Sequence, residues 1–125
     1  MVKIYICPIC GNIITKIKDS GVPVVCCGKP MIELIPNKED AAVEKHIPVY
    51  EIKDNEVIVK VGSVNHPMEE QHYIEWIMIE TNKGIQIKKL EYKNKPEAIF
   101  GLATEENLER VYAYCNLHGL WVKEN

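Results

Sequence analysis

The sequence predicts an all-β chain in two modules: a small one tied together by cysteines, then a larger β-sandwich of immunoglobulin-like size. Three observations predict this. The four early cysteines all lie at or before Cys27, while all four histidines lie after residue 45. The strand-like runs of the first module are too short to build a core. From His46 onward, β-branched and aromatic runs alternate with turn residues, and only one helical start stands out.

In the first module, Lys3 to Ile6, Asn12 to Lys18 and Val22 to Val25 read as short strands, separated by Gly11 and by Asp19-Ser20-Gly21. The polar run Pro36-Asn37-Lys38-Glu39-Asp40 reads as an exposed connection. It sets the expected domains at 1–36 and 37–125. A unit this small must draw most of its folding free energy from whatever joins its cysteines.

Seven runs follow: Ile47 to Lys53, Glu56 to Val61, Tyr73 to Thr81, Ile85 to Tyr92, Ala98 to Leu102, Arg110 to Cys115 and Gly119 to Lys123. Asp54-Asn55 and Asn82-Lys83-Gly84 join neighbouring runs as hairpin turns. Alternation puts Val57, Val59 and Val61 on one face and Ile58 and Lys60 on the other. Seven short antiparallel strands suggest the sandwich. Thr104-Glu105-Glu106, a hydroxyl ahead of two acids, predicts a single helical turn.

Composition removes several classes of function. Fifteen basic against eighteen acidic side chains give a net charge of -3, and Arg110 is the only arginine. Such a chain offers no basic field for a phosphate backbone, so nucleic acid is excluded as a partner. No stretch approaches the about 18 apolar residues of a membrane span, and the N-terminal apolar run is too short for a signal peptide. The expectation is a soluble cytoplasmic protein with no membrane partner. Five cysteines is an odd number for a disulfide framework and suits metal thiolates in a reducing compartment.

Cys7-Pro8-Ile9-Cys10 puts two thiols on one tight turn, and Cys26-Cys27 supplies two more. Four thiolates suit tetrahedral zinc or a single iron. Gly11 and Gly28 follow the two pairs and let backbone approach the sulfurs. A structural zinc ribbon is the plain alternative, although its second pair is normally another C-x-x-C; a Cys7–Cys10 disulfide is a lesser one.

Cys115 then remains with His46, His66, His72 and His118. Cys115-Asn116-Leu117-His118 sets a thiolate and an imidazole on one turn, and His66 and His72 bound an exposed loop. Any one of these histidines alone would be read as an ordinary hydrogen-bonded residue. Together, four nitrogens and a sulfur exceed the four donors of structural zinc and favour a redox metal with a vacant position, of which iron fits best. Glu44 and Lys45 directly precede His46, where either could swing over an open site; a solvated charge pair is the plainer reading. Tyr5, Trp76 and Trp121 are read as packing residues.

Cys7-x-x-Cys10-Gly11-Asn12, Cys26-Cys27-Gly28, Glu44-Lys45-His46-Ile47-Pro48-Val49, His66-Pro67-Met68-Glu69-Glu70-x-His72-Tyr73-Ile74-x-Trp76-Ile77 and Cys115-Asn116-x-His118-Gly119 together closely resemble the desulfoferrodoxin family, the two-iron superoxide reductases. The resemblance spans almost the whole chain. It implies a desulforedoxin-like (rubredoxin-type) domain with iron on Cys7, Cys10, Cys26 and Cys27. It also implies an immunoglobulin-like domain with a catalytic iron on His46, His66, His72 and His118, Cys115 being its axial ligand. The implied reaction is one-electron reduction of superoxide to hydrogen peroxide without release of oxygen. By the same resemblance Lys45 attracts the anion, Glu44 helps displace peroxide, a rubredoxin serves as electron donor, and the chain forms a homodimer.

Overall fold

The computed structural model describes residues 1–125 as an all-β chain of several sheets, without a closed barrel. It divides into two compact units, Met1–Ile35 and Pro36–Asn125.

In the first unit, β1 (Ile4–Ile6) pairs antiparallel with β2 (Ile13–Thr15) and with β5 (Ile32–Glu33). A separate hairpin joins β3 (Val25–Cys26) to β4 (Lys29–Pro30). The strands are shorter than the runs of apolar residues predict. The expected strand Val22 to Val25 shrinks to the base of that hairpin, because the chain must reverse at Cys27-Gly28. Only Ile4 and Cys7 are buried among these residues. A unit with so little core cannot hold its shape by apolar burial alone.

In the second unit the one helix is a single turn, α1 (Val43–His46). Strands β6 (Pro48–Lys53), β7 (Glu56–Val61) and β10 (Glu97–Gly101) form one sheet in the order β10-β7-β6. Strands β8 (Ile74–Thr81), β9 (Gly84–Lys89), β11 (Leu108–Cys115) and β12 (Gly119–Glu124) form the other, in the order β12-β11-β8-β9. All pairings are antiparallel, and both predicted hairpins form, with Asp54 at φ 56 and Gly84 at φ 141 supplying the reversals.

One apolar cluster takes Val57, Val59, Val61 and Phe100 from the first sheet and Ile74, Ile77, Val111 and Cys115 from the second. Alternation along β7 buries its three valines completely, each worth about 1.5–3 kcal/mol. Asn37 extends the edge of β12: its amide donates to the Leu120 carbonyl, its Nδ2 donates to the Val122 carbonyl, and its Oδ1 accepts from the Val122 amide.

The predicted helical turn at Thr104-Glu105-Glu106 does not form. Glu105 takes a φ of 63, outside the right-handed helical region, and the Glu106 carboxylate instead accepts bonds from the Ala103 amide and the Thr81 hydroxyl. The helical turn that does form, α1, ends on His46, which the sequence pattern places at the start of a strand. It has no side-chain cap and is held by tertiary contacts.

Candidate metal centres

Three connections deliver five soft donors to one place in the second unit. α1 brings His46, the segment between β7 and β8 brings His66 and His72, and the β11–β12 turn brings Cys115 and His118. Gly62 permits the first two to meet, since a Cβ there would lie 2.6 Å from the Glu44 carbonyl oxygen and 2.8 Å from that of Ile47. The Val64 amide and the Ser63 hydroxyl both donate to the Glu44 oxygen, at 2.9 and 3.3 Å. Asn116 joins the other two: its Oδ1 accepts from the Tyr73 amide and its Nδ2 donates to the Gln71 carbonyl. Gly119, at φ 77, closes the turn after His118.

The imidazoles form a ring in the order His46, His66, His72, His118. Neighbouring centroids are 4.5, 4.8, 5.1 and 4.9 Å apart, with planes 78° to 86° from parallel. His46 Nδ1–H donates to the Ala42 carbonyl and His66 Nδ1–H to the Pro67 carbonyl, both at 2.7 Å. These bonds fix both tautomers and turn both Nε2 lone pairs inward. The two Nε2 atoms are 3.1 Å apart, and His46 Nε2 is also 3.1 Å from His118 Nδ1.

No proton remains between His46 and His66 unless one ring becomes cationic, and burial opposes that. It pushes His66 down to about 4 and also lowers His46 and His72. His72 Nε2 is buried with no hydrogen-bond partner. Two facing lone pairs with no proton between them, beside a third nitrogen without a partner, fit a metal cation, and nitrogens bound at about 2.1 Å at right angles lie about 3 Å apart.

Cys115 is fully buried, and burial pushes its thiol up, with the His118 and Leu117 amides opposing. The His118 amide donates to Cys115 Sγ at 3.4 Å. A cation at this point favours the thiolate outright. Trp121 packs on the His46 ring at 4.9 Å and donates Nε1–H to the His118 carbonyl at 3.0 Å. A sequence reading of Trp121 as a packing residue misses this support, as it misses the Ala42 and Pro67 carbonyls; backbone acceptors leave no mark in residue identities. Glu44, exposed, and Lys45, half-buried, lie on α1 immediately before His46.

In the first unit Cys7 follows β1 directly, Cys10 lies in the ensuing turn, and Cys26 ends β3. Cys27 and Gly28, at φ 53 and 72, form the two-residue loop of the β3–β4 hairpin, both in the left-handed region that tight hairpins require. That backbone reconciles adjacent cysteines with a common focus. All four sulfurs lie within 4.8 Å of one another and none is in a disulfide. Cys10 Sγ and Cys26 Sγ are 3.6 Å apart, against about 3.8 Å for the edge of a tetrahedron with metal–sulfur bonds of about 2.3 Å.

The Cys10 amide, helped by that of Ile9, lowers Cys7 to about 6 despite burial. The neighbouring thiols, Cys10 first, push Cys27 up to about 12, and Cys7 and Cys10 raise Cys26. Four thiolates therefore coexist here only around a cation.

Every predicted donor thus falls into one of two clusters, one of four cysteines and one of four histidines with a cysteine, a combination that defines a two-centre metalloprotein of the redox type. The desulfoferrodoxin family profile matches residues 38–124, and the profile of the desulfoferrodoxin N-terminal domain matches residues 1–34. The chain belongs to the desulfoferrodoxin family. It is 48% identical over 122 residues to the desulfoferrodoxin of Syntrophotalea carbinolica, covering 98% of this chain and 95% of that one. The crystal structure of the superoxide reductase from Treponema pallidum superposes with a TM-score of 0.84 at 37% identity, covering 99% of each chain. The superoxide reductase (1Fe-SOR) of Giardia intestinalis, at 29% identity and a TM-score of 0.57, covers 66% of this chain and 97% of its own.

Proposed function

We propose that the protein is a superoxide reductase: superoxide takes up one electron and two protons to give hydrogen peroxide, and no oxygen is released. The observation that carries this reading is the ring of four imidazoles, with two tautomers set by backbone carbonyls, closing on one point beside a buried thiol. Iron held by His46, His66, His72, His118 and Cys115 would supply the electron for the anion. The Ala42 and Pro67 carbonyls hold two of the imidazoles with their Nε2 atoms turned inward, and the His118 amide steadies the sulfur of Cys115. Lys45 would draw superoxide to the site and offset its charge, while Glu44 on the same turn would help release the product.

In this reading residues 1–36 are a desulforedoxin-like domain with iron on Cys7, Cys10, Cys26 and Cys27, and residues 37–125 are the catalytic domain, an immunoglobulin-like β-sandwich. The small unit exposes Ile9, Ile17, Val22 and Ile32 and buries only two residues, which supports a homodimer that covers apolar surface. Cysteines free of disulfides support a reducing cytoplasm, and the rubredoxin-like electron donor rests on the family resemblance alone. No helix is long and apolar enough to cross a membrane.

Iron analysis with rapid mixing tests the function. The reading requires two irons per chain and oxidation of the histidine-bound iron by superoxide, with one peroxide formed per electron and no oxygen. Oxygen evolution without consumption of reductant would replace it with dismutation.

A further inference from the structure

The sulfurs of the small unit are supported unequally. Cys7 Sγ, buried, accepts the Ile9 and Cys10 amides, each at 3.4 Å. Cys26 Sγ accepts a side-chain donor, the Nδ2 of Asn12 at 3.7 Å. Asn12 is held for this task by its own backbone. Its carbonyl accepts the Cys7 amide at 2.8 Å, while Gly11, at φ 81, donates to the Cys7 carbonyl and reverses the chain just before it. Asn12 is exposed, so water could satisfy its amide; the amide is turned to the sulfur instead.

We propose that Asn12 is a positioning residue of the first centre, raising the reduction potential of iron bound there through its amide bond to Cys26 Sγ. The inference rests on the reading that the four cysteines hold iron. Reduction of a four-thiolate iron adds one negative charge, spread over the sulfurs. A donor to sulfur stabilises the reduced form more than the oxidised one, so hydrogen bonds to the sulfurs help set the potential of such centres. The backbone donors to Cys7 cannot be changed by substitution of a side chain. Asn12 can, which makes it the adjustable contact of this centre.

The test compares full-length, iron-loaded protein with Asn12→Ala and Asn12→Asp. The aspartate keeps the shape, removes the amide donor and places an acceptor against the sulfur. At a fixed solution potential, the reduced-to-oxidised ratio of the four-cysteine iron should fall roughly three- to tenfold in Asn12→Ala. It should fall further in Asn12→Asp, while the potential of the second iron stays unchanged. An unaltered ratio in a fully loaded Asn12→Ala protein overturns the inference.

If the variants fail to load iron, the unaltered chain decides the matter. With cadmium-113 in the four-cysteine site, a scalar coupling between the metal and the Asn12 side-chain amide protons is required, and its absence overturns the proposal. Fewer than two irons per chain in the unaltered protein would instead remove the reading beneath it.

Discussion

His66 carries the pH sensitivity of the second centre. Its folded pKa is depressed by burial to about 4, below the ordinary 6.5 that it regains on unfolding. Between those values the unfolded chain binds a proton that the folded chain does not, so the metal-free fold loses stability as pH falls from about 6.5 towards 4. His46 and His72, lowered in the same direction, add to the loss. In the metal-free protein the urea midpoint of the second unit should therefore decline as pH falls across this window.

The other residue-scale expectations concern single side chains at the rim and floor of the site. Cys115→Ser should abolish superoxide reduction and leave the absorption of the four-cysteine centre intact, as rapid mixing and visible spectra would record. Lys45→Ala should slow the reaction with superoxide and flatten its dependence on ionic strength. An unchanged rate and salt slope would remove Lys45 from the mechanism.

Among the elements, the crossing of Gly62 under α1 is the tightest constraint. A methyl group at Gly62 would drive into the Glu44 and Ile47 carbonyls, so Gly62→Ala should cost about 1–3 kcal/mol and lower the thermal midpoint. It should also reduce iron in the second site, because both segments that meet there bear a histidine. Calorimetry and metal analysis of the same sample would check both.

Element identity is readable where the pattern is long and periodic. β7 shows its buried valines in plain alternation, and Asn82-Lys83-Gly84 announces its hairpin. The single helical turn is not. Thr104-Glu105-Glu106 has the residue types of a helix start, yet the Glu106 carboxylate finds better partners across the chain. α1 has no capping side chain at all and exists because the loop after β7 holds its carbonyl. Local preference cannot reveal a turn made by distant contacts.

At the scale of the whole molecule, the donors are legible because cysteine and histidine are scarce and each has few structural uses. Their supports are hidden: Pro67, Ala42 and Asn116 act through backbone groups or an amide that many residues could supply. The two units differ in what maintains them. The second has a continuous apolar cluster, whereas the first has two buried residues and four sulfurs. Replacing Cys26 and Cys27 together by serine should therefore unfold the first unit and empty its site, leaving the cooperative melt of the second. Circular dichroism with metal counting would distinguish that outcome from global collapse.

The staple that Asn37 makes on β12 acts as a strain relief, like the clamp where a cable enters a housing. A pull on the preceding chain would first have to break three hydrogen bonds to Leu120 and Val122. Ala42, whose carbonyl aims the His46 ring, lies beyond that clamp.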